Sequence, residues 1–507
     1  MVRFSRATSA HRAAIALIAL FAVSLGLRVF AAQALQFDGL YGQDAYAYYS
    51  YGQQLREALA QFHLPSGFYF PLGYPALVAL GFTITGQQPF SAQIVSLLAG
   101  AAVSIFALLL TMEIARKVLP STPHRKRLAR PAGIVTWAIV TVCGQLMQSS
   151  IVIMSDSAAL MWAVMSAWAL LVYGRSRQPA WLALTAFAFA FAIMSRWQYL
   201  GLALPLALYI LLKRPVRLPH LAVAALVGLI TLSPQIVHSL QNSNMPLGTP
   251  WSLSWSPANF VEHKFTTADG SFYFAQTPAE YYAQPFYSAY YMSPLFVPLV
   301  IAGAIILFRR KAIFALIVGW FAVQYLYLAG SPIENIRFAL AIFLPLAVLA
   351  GVGTAWIFAV LQKSSTLKWI IRPAIVVIIV YGLLTTVNAS VPIITNFVSI
   401  KNSDLKAAQW IEAEIAEPGA TVYCLDLLLT IEHYTTLHPI QIYGLSPATL
   451  SDQLSKTRPA YAAFNIGTTE HQWFGKSPWI IYHWLLDNPG LTQIGTFGNY
   501  TLYRVGQ

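Results

Sequence analysis

The chain has 507 residues, of which 57% are hydrophobic and only 10% charged, with mean hydropathy +0.59. A soluble globular domain carries roughly 25% charged residues, so composition excludes one and points to a multi-pass membrane protein. The net charge of +13 would suit nucleic acid, but 20 of the 31 Lys and Arg fall in six short stretches free of Asp and Glu: 1–12, 116–131, 174–178, 213–217, 309–311 and 363–372.

Such segregation is the positive-inside signature, so the basicity reads as topology and no nucleic-acid partner is expected. With the six stretches in the cytoplasm, a first helix over about 13–35 runs outward behind Arg3, Arg6 and Arg12. "AAQA" at 31–34 resembles a signal cleavage site, but the apolar run is long and ten more spans follow, so the helix is read as retained. Residues 36–88 are then external, and "LGYPALVALGFTITG" (72–86) is too short to span and is read as lying on the outer surface. Further spans are expected at 90–115, 132–148, 155–173, 179–195, 197–212, 219–240, 293–308, 312–329, 337–361 and 370–391. That gives about 11 transmembrane helices, the N-terminus cytoplasmic and the C-terminus outside.

A second external loop, 241–292, contains Trp251, Trp255, Tyr273, Tyr281, Tyr282, Tyr287, Tyr290 and Tyr291. These aromatics could stack sugars, but interface anchoring is the simpler reading. From about 400 the composition is that of a small soluble domain: "DLKAAQWIEAEI" reads as an amphipathic helix, and "ATVYCL", "AYAAFNI" and "GNYTLYRV" as strands. The expected architecture is an all-α polytopic membrane domain (1–395) followed by a small α/β extracytoplasmic domain (396–507). Cys143 and Cys424 are far apart and imply no disulfide framework. His433 and His438 lack a ligand pattern, and Asn388 and Asn499 open sequons that matter only in a secretory pathway.

Four charged residues are expected at the outer surface. Asp44 stands in "GQDAYAYY" of the first loop, and Asp156 in "SSIVIMSDSAALMW" at the outer end of a helix. Charge is costly in the bilayer, so an acid at a helix mouth has solvent, a structural task such as an N-cap, or a function. Arg196 ends "FAFAIMSRWQY" and Arg337 opens "ENIRFALAIFLPL", either as snorkelling anchors or as phosphate ligands. Two acids and two arginines at one membrane surface suit group transfer from a phosphate-bearing lipid, a carboxylate taking the acceptor's proton and guanidinium groups holding the leaving phosphate.

Read in order, "GQDAYAYYSYGQQL", "FPLGYPALVALGFTITG", "FSAQIVSLLAGAAVSIFALLLTMEIAR", "IVIMSDSAALMWAVMSAWALLVYGRS", "FAIMSRWQYLGLALPLALYIL" and "IRFALAIFLPLAVLAG" resemble the GT-C glycosyltransferases that use polyprenyl-phosphate sugars. The nearest branch is the bacterial relatives of protein O-mannosyltransferases and of the lipid A aminoarabinose transferase. The resemblance runs over about 13–360, with a matching small external C-terminal domain. It implies an inverting plasma-membrane (inner-membrane) transferase acting on the outer face, with a polyprenyl-phosphate-sugar donor and a lipid, glycan or protein hydroxyl as acceptor. It places Asp44 as the base, Asp156 as the second acid, Arg196 and Arg337 as phosphate ligands, and Tyr46 and Tyr74 among the donor-binding residues. Many relatives have an Asp-Glu pair in the first loop, whereas Asp44 lies between Gln43 and Ala45, so no cofactor is assigned and a divalent metal shared by such a pair lacks its second acid here. Where relatives have Pro-Pro or a preceding Lys, this chain has Phe70-Pro71. A transporter or lipid flippase, and an inert GT-C relative, are the rival readings. Transporters usually show repeated halves with polar groups at the midplane; no repeat is visible here, and the charges gather at one surface.

Overall fold

The computed structural model describes residues 2–506 except 62, 120–124, 214–215, 243–253, 268, 362–366 and 458, so Trp251 lies outside the described residues. Contacts divide the chain into two compact units. One comprises 1–261 and 277–394; the other comprises 262–276 and 395–507.

The first unit is helical. In chain order it contains α1 (Val2–Ala34), α2 (Gly42–Leu59), α3 (Gly73–Thr85), α4 (Pro89–Val118), α5 (Arg125–Val142), α6 (Gly144–Ile151), α7 (Ser155–Ser176), α8 (Pro179–Ser195), α9 (Ala203–Lys213) and α10 (Leu218–Asn242). They are followed by α11 (Val297–Phe308), α12 (Lys311–Ala329), α13 (Leu340–Leu361) and α14 (Leu367–Ile415), with short helical turns between them. Every expected span is helical, although 132–148 is divided between α5 and α6 and 197–212 begins on a 3₁₀ turn before α9, and 72–86 is the 13-residue α3.

Among the described residues, seven helices are long and apolar enough to cross a membrane, eight if the pair α5–α6, bent by 58° around Cys143, counts as one span. This is fewer than the expected 11, because 179–195, 197–212 and 293–308 fall on shorter apolar helices of 10–17 residues. Polar residues cut the first two apart: α8 stops at Ser195, Arg196 is extended, and Trp197–Leu202 forms a 3₁₀ turn before α9. The chain is a multi-pass membrane protein.

Helices apolar all round belong in the interior. α13 is the clearest case, with 94% of its apolar window buried, against 11% for α1 and for α10. α13 packs on α11 and α5, and α7 on α8 and α4. The α11–α13 contact depends on small residues: a Cβ at Gly353 would strike the Leu299 carbonyl, and one at Gly303 the Leu349 carbonyl.

The second unit is a mixed sheet between two apolar layers. β1 (Lys264–Thr267) and β2 (Gly270–Tyr273) form a hairpin that clusters with this unit, so part of the 241–292 loop belongs to it. β3 (Thr421–Cys424), β4 (His438–Gln441), β5 (Ala460–Asn465), β6 (Leu491–Phe497) and β7 (Tyr500–Val505) form a sheet in the order β4-β3-β5-β7-β6. β3 pairs in parallel with β4 and β5, and β7 runs antiparallel to β5 and β6.

The two-residue period of a strand sends Val422 and Cys424 into one layer and Tyr423 and Leu425 into the other. The first layer includes Ala407, Ala408, Ile411 and Ile415 of "DLKAAQWIEAEI". That segment is the end of α14, an unbroken 49-residue helix. Asn388 lies within α14, and Asn499 in the turn joining β6 to β7.

Candidate active site

The start of α2 is placed by the loop behind α1. Gln36 (φ 50) and Gly39 (φ 90) adopt left-handed backbone there. Only glycine suits position 39, since a Cβ would crowd Ile153 and Gln93. The Gly39 carbonyl accepts the Ile153 N–H at 2.9 Å, and Gln93 Nε2 donates to the carbonyls of Phe37 (3.0 Å) and Ile151 (2.7 Å). The loop is thereby tied to segment 152–154, which brings the first turn of α2, with Asp44, beside the first turn of α7, with Asp156.

The N-cap of α7 is Met154, with no side-chain cap. Asp156 is therefore not a cap: its carboxylate, 3% exposed, accepts from Arg196 Nη2 at 2.8 Å. Arg196 reaches it because α8 ends at Ser195 and the next residue is extended. Its guanidinium, 11% exposed, also lies over the Phe338 ring at 5.2 Å, and its Nε has no protein partner.

Arg337 links the two acids. Its Nη2 donates to Asp44 Oδ2 at 3.1 Å across 293 residues of sequence, and its Nη1 stands 3.8 Å from Asp156 Oδ2. Asn335 Oδ1 takes both the Arg337 backbone N–H and its Nε at 3.1 Å, which orients the guanidinium toward the two acids. Side-chain exposures of 24% for Asp44 and 20% for Arg337 leave this side of the cluster open. Two carboxylates and two guanidinium groups thus stand together with formal charges that cancel.

The tyrosines take other positions. Tyr46 and Tyr74 are both buried, and the Tyr74 hydroxyl is shared with Ser96 at 2.6 Å. Ser96 in turn donates to the Met154 carbonyl at 3.1 Å, so Tyr74 braces the entry to α7 from behind. Tyr48, which sequence reasoning misses, meets Ser155 Oγ at 2.9 Å, and burial pushes its phenol up to about 12. Asn335 and Phe338 are also missed, although both flank Arg337 in the sequence. Among the described residues, no group of three His, Cys, Asp or Glu side chains is placed to hold a metal.

A different charged cluster occupies the opposite ends of α4 and α7. Buried Glu113 meets Arg116 at 3.3 Å, Lys117 at 3.7 Å and Arg175 at 3.1 Å. Two of the basic stretches, 116–131 and 174–178, therefore meet at one acid.

Comparison with known proteins follows the same lines. The family model described as dolichyl-phosphate-mannose-protein mannosyltransferase matches residues 70–238. That segment is similar to this family. It runs from just before α3 into α10 and contains Asp156 and Arg196. The fold is similar over nearly the whole chain to ArnT from Cupriavidus metallidurans. The crystal structure bound to undecaprenyl phosphate gives a TM-score of 0.61 at 14% identity and covers 97% of each chain. The apo structure gives 0.57 at 15% identity, covering 99% of this chain and 98% of that one. No curated protein sequence matches significantly. The resemblance read from the sequence is borne out at the level of the fold: this is a membrane chain whose fold is similar to that of ArnT.

Proposed function

We propose that the chain is an inverting glycosyltransferase that moves a sugar from a polyprenyl-phosphate donor to a hydroxyl acceptor on the extracytoplasmic face of the membrane. The observation that carries this reading is the gathering of Asp44, Asp156, Arg196 and Arg337 where α2 and α7 begin. A relative of the same fold was crystallised with undecaprenyl phosphate, which supports a polyprenyl-phosphate donor here. Residues 1–395 are the transferase domain and 396–507 an extracytoplasmic domain. The basic stretches set the orientation, N-terminus in the cytoplasm.

In the proposed step the acceptor oxygen attacks the anomeric carbon as the carbon–oxygen bond to phosphate breaks. The acceptor's proton passes to the Asp44 carboxylate, and the bonding pair leaves with the lipid phosphate. Arg337 holds Asp44 in the resting protein and can turn toward the phosphate as it arrives, which frees the carboxylate to act as base. Arg196 supplies the second phosphate contact through its unpartnered Nε. Asp156 keeps both guanidinium groups in reach. Charge at the sugar is oxocarbenium-like, as in glycoside hydrolysis. With Arg337 turned to the phosphate, the two guanidinium groups stabilise that state.

The test is transfer of radiolabel from polyprenyl-phosphate sugars in membranes containing the wild-type chain. Labelled acceptor should accumulate. A transporter or flippase would move the donor and leave its sugar attached, and that outcome would overturn the proposal.

A further inference from the structure

α1 carries a charge that the proposed site does not use. Arg28 is fully buried, while Val23, Leu27 and Phe30 of the same helix are exposed on its other side. Its Nη1 donates to Ser24 Oγ at 2.7 Å and to the Ser24 carbonyl at 2.9 Å, and its Nε to Ser150 Oγ at 3.2 Å. Its Nη2 has no partner, and no carboxylate pairs with it among the described residues.

The surroundings are hydroxyls from four other helices. Ser24 Oγ also meets Ser104 of α4 at 3.2 Å and Thr141 of α5 at 3.5 Å, while Ser150 of α6 meets Ser157 of α7 at 3.3 Å. Gly100 makes room for the arrangement, since a Cβ there would overlap Ser150 Oγ and come within 2.8 Å of Arg28 Nε. A buried cation in a membrane helix normally has an acid partner or a role, and neutral hydroxyls solvate it without cancelling its charge. The chain Arg28–Ser150–Ser157 ends one residue from Asp156.

We propose that Arg28 is a positioning residue of the donor-phosphate site, which rests on the proposed function above. Through Ser150 and Ser157 it fixes the first turn of α7. Its uncompensated charge gives a field of positive sign to a cluster whose own charges cancel, so the end of the bundle favours an anionic ligand. A phosphodiester donor brings one negative charge and leaves as a phosphate with more. The four site residues alone offer no surplus to meet it.

The test measures the dissociation constant of undecaprenyl phosphate for the full-length chain in detergent, with undecaprenol as the uncharged control. Arg28→Gln should weaken undecaprenyl phosphate about tenfold, the scale of one unopposed charge in a partly screened interior, and leave undecaprenol unchanged. Arg28→Lys keeps the charge and should stay within about threefold of wild type. Ser24→Asp leaves Arg28 in place and gives it a counter-ion, so a purely structural arginine would be held at least as well. The proposal expects the tenfold loss here too, which makes this variant decisive if Arg28→Gln does not fold.

Unchanged affinity in Arg28→Gln or Ser24→Asp would overturn the proposal, as would Lys and Gln variants that weaken binding equally. If the wild-type chain itself does not distinguish undecaprenyl phosphate from undecaprenol, the proposed function fails first.

Discussion

The two ends of the membrane unit handle charge in opposite ways. At one end buried Glu113 gathers three cations, of which Arg116 is 40% and Arg175 55% exposed, so solvent can screen the surplus charge. At the other end Asp44, Asp156, Arg196 and Arg337 are mostly buried, interlinked and balanced. A cluster whose cations reach solvent anchors helix ends, and each exposed pair in it contributes little. A buried, balanced cluster is held together by mutual pairing, and removing one member leaves another uncompensated. The second kind can exchange an internal partner for a ligand phosphate, and that is the basis for placing the chemistry there.

Substitutions at either end separate the two behaviours. Asp44→Asn keeps the size of the side chain but removes the proposed base, so sugar transfer should fall by about 10²–10⁴, the usual scale of general-base catalysis. Initial rates of radiolabel transfer measure it, and near-wild-type rates would remove Asp44 from the mechanism. Arg196→Lys and Arg337→Lys keep the charge and lose the planar fork, so each should weaken undecaprenyl phosphate about tenfold with the protein still monodisperse. Full affinity in both would make these arginines structural anchors.

Glu113→Gln should behave differently. It should cost roughly 1–3 kcal/mol of stability, as for a lost hydrogen bond to a charged group, and leave transfer per folded molecule unchanged. A thermal-denaturation series read beside the transfer assay separates the two effects. Cysteines introduced at the exposed positions Gln178 and Ser455 sharpen the assignment of sides. In intact cells an impermeant thiol reagent should label Ser455→Cys and spare Gln178→Cys. Background should be low because both native cysteines are buried, and burial pushes the Cys424 thiol well up.

Much of this arrangement is legible in the amino-acid sequence. Apolar runs of bilayer length mark spans through the hydrophobic effect alone, and the six basic stretches mark their ends. Asp44 and Asp156 stand out because an acid beside an apolar run is costly without a purpose. Partnership is not legible: nothing local pairs Arg337 with Asp44 across 293 residues. Nor does sequence show that Tyr48 rather than Tyr46 reaches Ser155, since the two lie on opposite sides of the helix and only its rotation decides between them. Apolar content alone does not show where Arg196 interrupts a run, so the break between α8 and α9 is not legible. A single arginine in "VSLGLRVFAAQA" reads as tolerated, and only its burial among hydroxyls makes Arg28 conspicuous.

The donor phosphate is expected to bind at the Asp44 end rather than the Glu113 end. Photocrosslinking answers this with an undecaprenyl phosphate that carries a diazirine next to its phosphate, followed by peptide mapping. The account predicts adducts on residues near Asp44, Asp156, Arg196 or Arg337, competed away by unlabelled undecaprenyl phosphate. Competable adducts confined to the neighbourhood of Glu113, Lys117 and Arg175 would contradict it.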